Sequence, residues 1–137
     1  MADPRYVIDH AGLEVRDFET SRAFYEAALE PLGFSLQIDF ADRFKAIGLG
    51  IPGKPSFWIR ESGEVSAPLH IAFHATDRDR VDRFHEAALA AGGRDNGPPG
   101  LREHYHPTYY GAFVLDPDGN NVEAVCHTPP NAGEPNA

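Results

Sequence analysis

Two short segments of the chain, about 60 residues apart, alternate between apolar and polar or small side chains. The first comprises residues 10–15 and the second residues 69–74. Because successive side chains of a β-strand point to opposite faces, each segment is predicted to form a strand with one apolar face and one face that carries histidine. The histidines are His10 in the first segment, and His70 with His74 in the second.

A helix is predicted after each of these strands. Asp17 or Asp77 stands where a helix N-cap is expected, apolar residues then recur at helical spacing, and Gly33 or Gly93 follows as the stop. With an offset of 60 residues, the two segments align without a gap and match at eight positions between 10 and 33. The matches include the first histidines, the caps and the glycines. The chain is therefore predicted to contain two copies of one supersecondary unit.

Further strands are predicted after each helix. In the first unit they are FSLQIDF, FKAIGLG and SFWIRE, with the turn-forming GIPGKP before the last. In the second unit, residues 94–107 contain several Gly and Pro residues and are expected to be mostly loop. The segments YYGAFVL and NNVEAVCH then form a hairpin, joined by the turn at 116–119. Each unit is therefore predicted to have the order βαβββ.

The two units predict an α+β fold, in which tandem βαβββ units form a curved mixed sheet with the helices on its outer face. The 137 residues, of which 42% are hydrophobic, fit one domain that can bury a core without disulfides or a structural metal. We expect this domain to span residues 1–127, with units at about 6–62 and 67–127. Residues 128–137 contain few apolar side chains and are expected to form a disordered tail.

The charge balance limits the classes of partner. Lys and Arg total 12 against 21 for Asp and Glu, and the net charge of -9 disfavours nucleic acids and anionic membrane surfaces. The start of the chain lacks the features of a signal peptide, and the single cysteine, Cys126, has no partner for an internal disulfide. We therefore expect a cytoplasmic protein that acts on a small molecule, with no nucleic-acid or membrane partner.

A glutamate on the last predicted strand completes a candidate metal site. Glu123 lies between Val122 and Ala124, so its side chain points to the face opposite its apolar neighbours. A pseudo-two-fold packing of the units is expected to bring the strands of His10 and His70 side by side, where Glu123 can join them. Two imidazoles and one carboxylate leave coordination positions open for water, oxygen or substrate, which suits iron(II), manganese and related ions.

These residues resemble the vicinal oxygen chelate superfamily, which includes glyoxalase I, extradiol dioxygenases, fosfomycin-resistance thiol transferases and bleomycin-binding proteins. The resemblance covers about residues 6 to 127 and rests on DHAGLEV, SRAFYEAALEPLGF, HIAF and FVLDPDGNNVEAV. It implies that His10, His70 and Glu123 bind one divalent ion (Fe, Mn, Ni or Zn), which chelates vicinal oxygens of the substrate. It also implies a homodimer, since such proteins form dimers more often than monomers and sometimes exchange units between chains.

The resemblance leaves the type of reaction open. Glyoxalase-type isomerases usually carry a second carboxylate on the last strand of the first unit, where Trp58 stands here, or Arg60 if the alignment shifts by two residues. The three-ligand set is closer to that of the extradiol dioxygenases, but Phe113 occupies the position of their acid/base tyrosine. Fosfomycin enzymes are disfavoured because no arginine follows His127.

The remaining candidates are assigned to the substrate pocket and to proton transfer. The pocket is expected to be lined by aromatic and basic side chains, namely Trp58, Arg60, His74 and Phe113. Proton transfer is assigned to groups on or beside the last loop, since imidazoles titrate near neutral pH and Tyr109 shares strand parity with Phe113. These groups are His104, His106 and Tyr109.

The leading hypothesis is a divalent-metal-dependent enzyme of the glyoxalase/dioxygenase type, a lyase, isomerase or dioxygenase that acts on a small oxygenated organic substrate. One alternative is specifically an extradiol-type ring-cleaving dioxygenase. The other is a metal-free small-molecule binding protein, similar to bleomycin-resistance proteins.

Overall fold

The computed structural model describes residues 8–65 and 68–130, and it confirms an α+β fold built from two βαβββ units. The first unit consists of β1 (Ala11–Val15), α1 (Phe18–Leu29), a 3₁₀ helix (Glu30–Leu32), β2 (Ser35–Asp39), α2 (Ala41–Phe44), β3 (Ala46–Ile51) and β4 (Lys54–Glu61). The second unit consists of β5 (His70–His74), α3 (Arg78–Ala90), β6 (Arg94–Leu101), β7 (Tyr110–Leu115) and β8 (Asn121–Cys126). The tail predicted from residue 128 onward lies, from residue 131, outside the described residues.

Each unit forms its own four-stranded mixed sheet, in the orders β1-β4-β3-β2 and β5-β8-β7-β6. The first strand of each unit runs parallel to the last, and the other neighbours are antiparallel. β1 and β5 are therefore the outer strands of their sheets, and within the described part of one chain they do not pair with each other.

The units pack through their helices and the apolar faces of their sheets. α1 contacts α3, and Phe57 of β4 meets Phe73 of β5 with 5.2 Å between ring centroids. One buried cluster extends through both units. Because the apolar faces meet in this core, the opposite faces, which carry His10 and His70, lie on the outside of each sheet.

A buried turn also joins the units. Asp116, at the start of the β7–β8 turn, accepts a hydrogen bond of 2.5 Å from the Tyr25 hydroxyl of α1. The same carboxylate accepts hydrogen bonds from the backbone N–H groups of Asp118 and Asn120. Burial, reinforced by the neighbouring Asp116 carboxylate, raises the pKa of Tyr25 well above that of an ordinary tyrosine.

The helix boundaries follow local signals, with one difference. Asp17 and Asp77 cap α1 and α3 as predicted, each accepting a hydrogen bond from a backbone N–H three residues ahead. Gly33 has a left-handed φ of 84° at the end of the 3₁₀ helix. After α3 it is Gly92, not Gly93, that adopts positive φ. Gly93 is needed for space, because a Cβ there would lie 2.5 Å from Val114 Cγ1.

The expectation of a loop over residues 94–107 is wrong in its first half, which forms β6. This strand pairs with β7 through irregular steps around Gly97. Pro98 and Pro99 lie in the register shift between Gly97 and Gly100, where neither is paired with β7, and β6 is the outer strand of its sheet. None of the helices in the described residues is long and apolar enough to cross a membrane.

Candidate functional site

The second sheet buries a carboxylate on its polar face. Glu123 of β8 lies opposite Ala72 of β5 and Phe113 of β7 in the strand register, and it is fully buried. Its Oε1 lies 2.6 Å from Nε2 of His70, whose side chain is 56% exposed. A buried carboxylate is costly unless a donor or cation compensates it, and His70 is one such partner that solvent can still reach.

The second oxygen of the carboxylate is also engaged. The Tyr109 hydroxyl donates a hydrogen bond to Oε2 of Glu123. Burial first, and then this hydrogen bond, raise the pKa of Tyr109 well above its usual value, so the phenol keeps its proton at neutral pH. Glu123, His70 and Tyr109, which we call the Glu123 cluster, thus hold one imidazole nitrogen, one carboxylate and one hydroxyl together.

The Glu123 cluster contains two of the three predicted metal ligands, the imidazole of His70 and the carboxylate of Glu123. An imidazole nitrogen and a carboxylate oxygen in direct contact are donors that iron, manganese, nickel and zinc all accept. A divalent ion between them would compensate the buried charge in place of the direct His70–Glu123 contact. Among the described residues, however, no three His, Cys, Asp or Glu side chains come close enough to hold a metal ion.

His10, the third predicted ligand, lies directly before β1 of the other sheet. It lines a cavity on the polar face of the first unit, together with Trp58 and Arg60. Its Nδ1 lies 2.8 Å from Oδ2 of Asp9, and Oδ1 of Asp9 lies 2.5 Å from Nζ of Lys54. A carboxylate at Nδ1 favours the proton on that nitrogen and leaves Nε2 as the atom available to a metal.

The cavity beside His10, which we call the Trp58 cavity, has a volume of about 610 Å³. Trp58 and Arg60 face into it from β4, whereas Phe57 and Ile59, which alternate with them, are buried in the core. Arg60 contacts Glu14 of β1, with 2.6 Å between Nη2 and Oε1. The aromatic and basic residues predicted for the pocket are thus divided between two sheets, because Phe113 and His74 belong to the second.

Phe113 lies beside the Glu123 cluster. Its ring centroid is 6.4 Å from that of His70, and the Arg102 guanidinium lies over the Phe113 ring, 5.4 Å from the ring centroid. Arg102 also donates to the backbone carbonyl groups of Pro98 and Gly100. It therefore anchors the loop before β7, a role that the sequence analysis did not assign.

The loop between β6 and β7 reaches the Glu123 cluster through tilted and edge-to-face ring contacts. His104 packs against Tyr105, with 4.2 Å between centroids, and Tyr105 packs against Tyr109 at 5.1 Å. The backbone N–H of Thr108 donates to Nδ1 of His106, so the proton of the neutral His106 ring is on Nε2. Of the three predicted proton-transfer groups, Tyr109 touches Glu123 directly, and His104 is connected to it through two rings.

His127 also packs against Tyr109, with 5.3 Å between ring centroids, and was left unassigned by the sequence analysis. The sequence did contain a signal for His127, since an even spacing of four residues puts it on the same strand face as Glu123. His74 is exposed and lies opposite Val125 in the register of β5 and β8. Asp9 and Lys54, which orient His10, gave no signal in the sequence because their contact depends on the β1–β4 pairing.

Solved structures share this architecture. A glyoxalase/bleomycin resistance protein from Albidiferax ferrireducens T118 is 27% identical, with a TM-score of 0.74 over 90% of this chain and 100% of that chain. A glyoxalase/bleomycin resistance protein/dioxygenase family enzyme from Burkholderia phytofirmans PsJN is 22% identical, with a TM-score of 0.67 over 88% and 98% of the two chains. A mutant glyoxalase I from Zea mays is 22% identical, with a TM-score of 0.61 over 86% of this chain and 43% of its own.

No curated protein matches the chain. The likeness to the Burkholderia and Zea mays structures concerns the fold alone, because identity near 22% is too low to carry an activity. The family model matches residues 7–124, a range that includes His10, His70 and Glu123 of the candidate site. By this match, the chain belongs to the Glyoxalase/Bleomycin resistance protein/Dioxygenase superfamily.

Proposed function

We propose that the chain is a divalent-metal-dependent enzyme of the glyoxalase/dioxygenase type, which acts on a small oxygenated organic substrate. The observation that carries this proposal is the buried Glu123 carboxylate in direct contact with the solvent-accessible imidazole of His70. A sheet gains nothing from burying a carboxylate at its centre unless the charge is used or compensated. The proposed ligands are His70, Glu123 and His10.

The proposed metal site is completed by a second copy of the chain. One chain places His70 and Glu123 on one sheet and His10 on the other, and its described residues contain no group of three donors. β1 and β5 are both outer strands, so each has one edge open to another strand. A two-fold dimer that sets β1 of one copy beside β5 of the other would bring His10 to His70 and Glu123.

When bound, a divalent ion would act as a Lewis acid towards the vicinal oxygens of the substrate. The chain's own residues have separate tasks. Tyr109 holds Oε2 of Glu123 and keeps a proton on its hydroxyl, so Oε1 is the oxygen left for the ion. Trp58 and Arg60 would hold the substrate beside the ion, with Phe113 and His74 facing them from the second sheet of the other copy. His104 and His106 would exchange protons with solvent.

One observation favours the extradiol-type ring-cleaving dioxygenase as the second candidate. Tyr109 supplies a phenolic hydroxyl beside Glu123, although the expected acid/base position is occupied by Phe113. We therefore propose Tyr109 as the proton donor of that reaction, since its hydroxyl stays protonated. The buried, unpaired Cys126 agrees with a reducing compartment, and we propose a cytoplasmic location.

The proposal is tested by elemental analysis of protein purified without an affinity tag or chelator, followed by incubation with iron(II), manganese, nickel or zinc. We expect stoichiometric metal in the parent, its loss in His70→Ala and Glu123→Ala, and its retention in the control His74→Ala, which lies on the same face. The loaded protein would then be assayed with a catechol under oxygen and with a hemithioacetal of methylglyoxal. A parent that stays empty with all four ions would refute the metalloenzyme and leave a metal-free binding protein.

A further inference from the structure

Arg102 is a partly buried cation on the polar face of the second sheet. It directly follows β6, and its guanidinium lies over the ring of Phe113, which is opposite Glu123 in the strand register. Side chains that are opposite each other on neighbouring strands point to the same face. Arg102 therefore lies on the face that carries the Glu123 cluster, and the strand order puts Phe113 of β7 between Arg102 and His70 of β5.

Two glycines let the guanidinium of Arg102 lie close to β6. A Cβ on Gly97 would lie 3.2 Å from Nη2 of Arg102, and a Cβ on Gly100 would lie 3.2 Å from Nη1, so a larger residue at either position would push the guanidinium away. Nη2 donates to the carbonyl oxygen of Pro98 at 2.7 Å, and Nη1 donates to that of Gly100 at 2.9 Å. The cation is thus held in place without a ligand.

Within the part of the chain that the structure describes, no carboxylate forms an ion pair with Arg102, whereas five other arginines there each pair with an Asp or Glu. Arg43 and Arg94 also have no such pair, but both are exposed and solvated by water. A partly buried charge is costly unless an opposite charge compensates it. The two carbonyl groups occupy two N–H donors, so three of the five guanidinium donors remain for an anion.

The charge of Arg102 acts on the Glu123 cluster. Burial and the hydrogen bond to Glu123 raise the pKa of Tyr109, and the positive charge of Arg102 partly opposes this rise. On the other side of Phe113, the ring centroid of His70 lies 6.4 Å away. A molecule with one end at the Glu123 cluster would therefore pass the Phe113 ring before its other end meets Arg102.

We infer that Arg102 binds a carboxylate group at the far end of the substrate, whose vicinal oxygens lie at the proposed metal site. This inference names the substrate class of the proposed function, an oxygenated carboxylic acid, and rests on that function for the end of the substrate at the metal. The uncompensated cation selects the acid, and its position beyond Phe113 sets the spacing between the carboxylate and the chelating oxygens. Arg102 is then a specificity residue as well as the anchor of the loop before β7.

The binding test uses the manganese-loaded protein and α-keto acids, whose neighbouring carboxylate and keto oxygens chelate the ion. α-Ketoglutarate and α-ketoadipate carry a second carboxylate at two different distances from this end, and α-ketovalerate and α-ketocaproate are the compounds of matched length without it. We expect calorimetry to show that at least one diacid binds about tenfold more tightly than its matched monoacid. Equal affinities in both pairs would overturn the inference.

Three variants separate the charge of Arg102 from its role as an anchor. Arg102→Gln removes the charge and should abolish the preference for the diacid, whereas Arg102→Lys keeps the charge without the guanidinium and should retain part of that preference. Arg94→Gln removes a positive charge at the exposed start of β6 and should leave the preference unchanged. A loosened loop would weaken the binding of diacid and monoacid alike, so an unchanged ratio of affinities in Arg102→Gln would contradict the inference.

The two proposals can fail separately. The proposed function is tested by metal content, whereas the anion site is also followed without metal, by the NMR signal of the Arg102 Nε–H group during titration with glutarate. We expect glutarate to shift this signal saturably, and its uncharged diamide to leave the signal in place. A protein that takes up no metal but shows this shift would refute the metalloenzyme and keep the anion site. Metal uptake without any preference for the diacids would refute the anion site and leave the metal site standing.

Discussion

A mixture of two inactive variants should recover metal binding if each site is shared between two chains. His10→Ala removes the ligand on the first sheet, and Glu123→Ala removes the buried carboxylate on the second. Each variant alone lacks one ligand at every site of its own dimer. In a mixed dimer, the Glu123→Ala chain supplies an intact His10, and the His10→Ala chain supplies His70 and Glu123.

The amount of metal that the mixture should bind follows from the proposal that each site takes His10 from one chain and the Glu123 cluster from the other. Random assortment of equal amounts makes half of the dimers mixed, and each mixed dimer has one complete site and one that lacks two ligands. The mixture should therefore hold about one quarter of the parent's metal. A site formed within one chain would give no recovery, because no chain in the mixture has all three ligands.

The assay is metal content by elemental analysis after co-expression of the two variants, loading with manganese, and desalting. Size-exclusion chromatography of each variant controls for loss of the dimer. The control is a co-expression of His74→Ala with Glu123→Ala. Because His74 is not a proposed ligand, the His74→Ala homodimers in this mixture should bind metal without any exchange of chains. Metal in the His10→Ala protein equal to the parent would refute His10 as a ligand, and no recovery in the mixture would refute the shared site.

Three further predictions concern stability. Tyr25→Phe removes the hydrogen bond to Asp116 and should lower the free energy of unfolding by about 1.5 kcal/mol in urea titrations, with no loss if the bond is dispensable. The pKa values of Tyr25, Tyr109 and Tyr110 are raised by folding, so unfolding releases protons above pH about 10, and the contribution of these three tyrosines to stability should be constant below that pH and fall above it. A melting temperature that rises from pH 9 to 11 would contradict this sign. Gly93→Ala should cost about 2 kcal/mol through its clash with Val114, whereas an alanine at position 63, where nothing lies within 4 Å, should cost little.

The secondary structure was predictable where its cause is local. The caps at Asp17 and Asp77 and the alternating strands appear in the sequence because a few neighbouring residues determine them. β6 was not predictable, since its glycines and prolines favour a loop, and only its place at the outer edge of a sheet makes the strand acceptable. The short helix α2 was missed because its four residues have no helical period to detect.

The candidate site was predictable within a unit and not between units. Strand parity and the repeat were enough to place His70 and Glu123 on one face, and the structure puts them in contact. Parity also placed Tyr109 on that face, where it meets the same carboxylate. The position of His10 depends on how the two sheets pack, which the Phe57–Phe73 contact and the helices decide through residues distant in sequence.

This packing has a consequence for activity. Within one chain, the apolar faces of both sheets are buried against each other in the core. The face that carries His10 and the Glu123 cluster therefore cannot turn towards each other without disrupting that core. A second copy can bring them together without such a loss, because the outer strands β1 and β5 are already exposed. The Trp58 cavity with His10 would then come from one chain, and the other two donors, His70 and Glu123, from its partner. Dilution below the dimer dissociation constant should therefore abolish metal binding and catalysis, while the fold of each chain, whose core is formed within one copy, should persist.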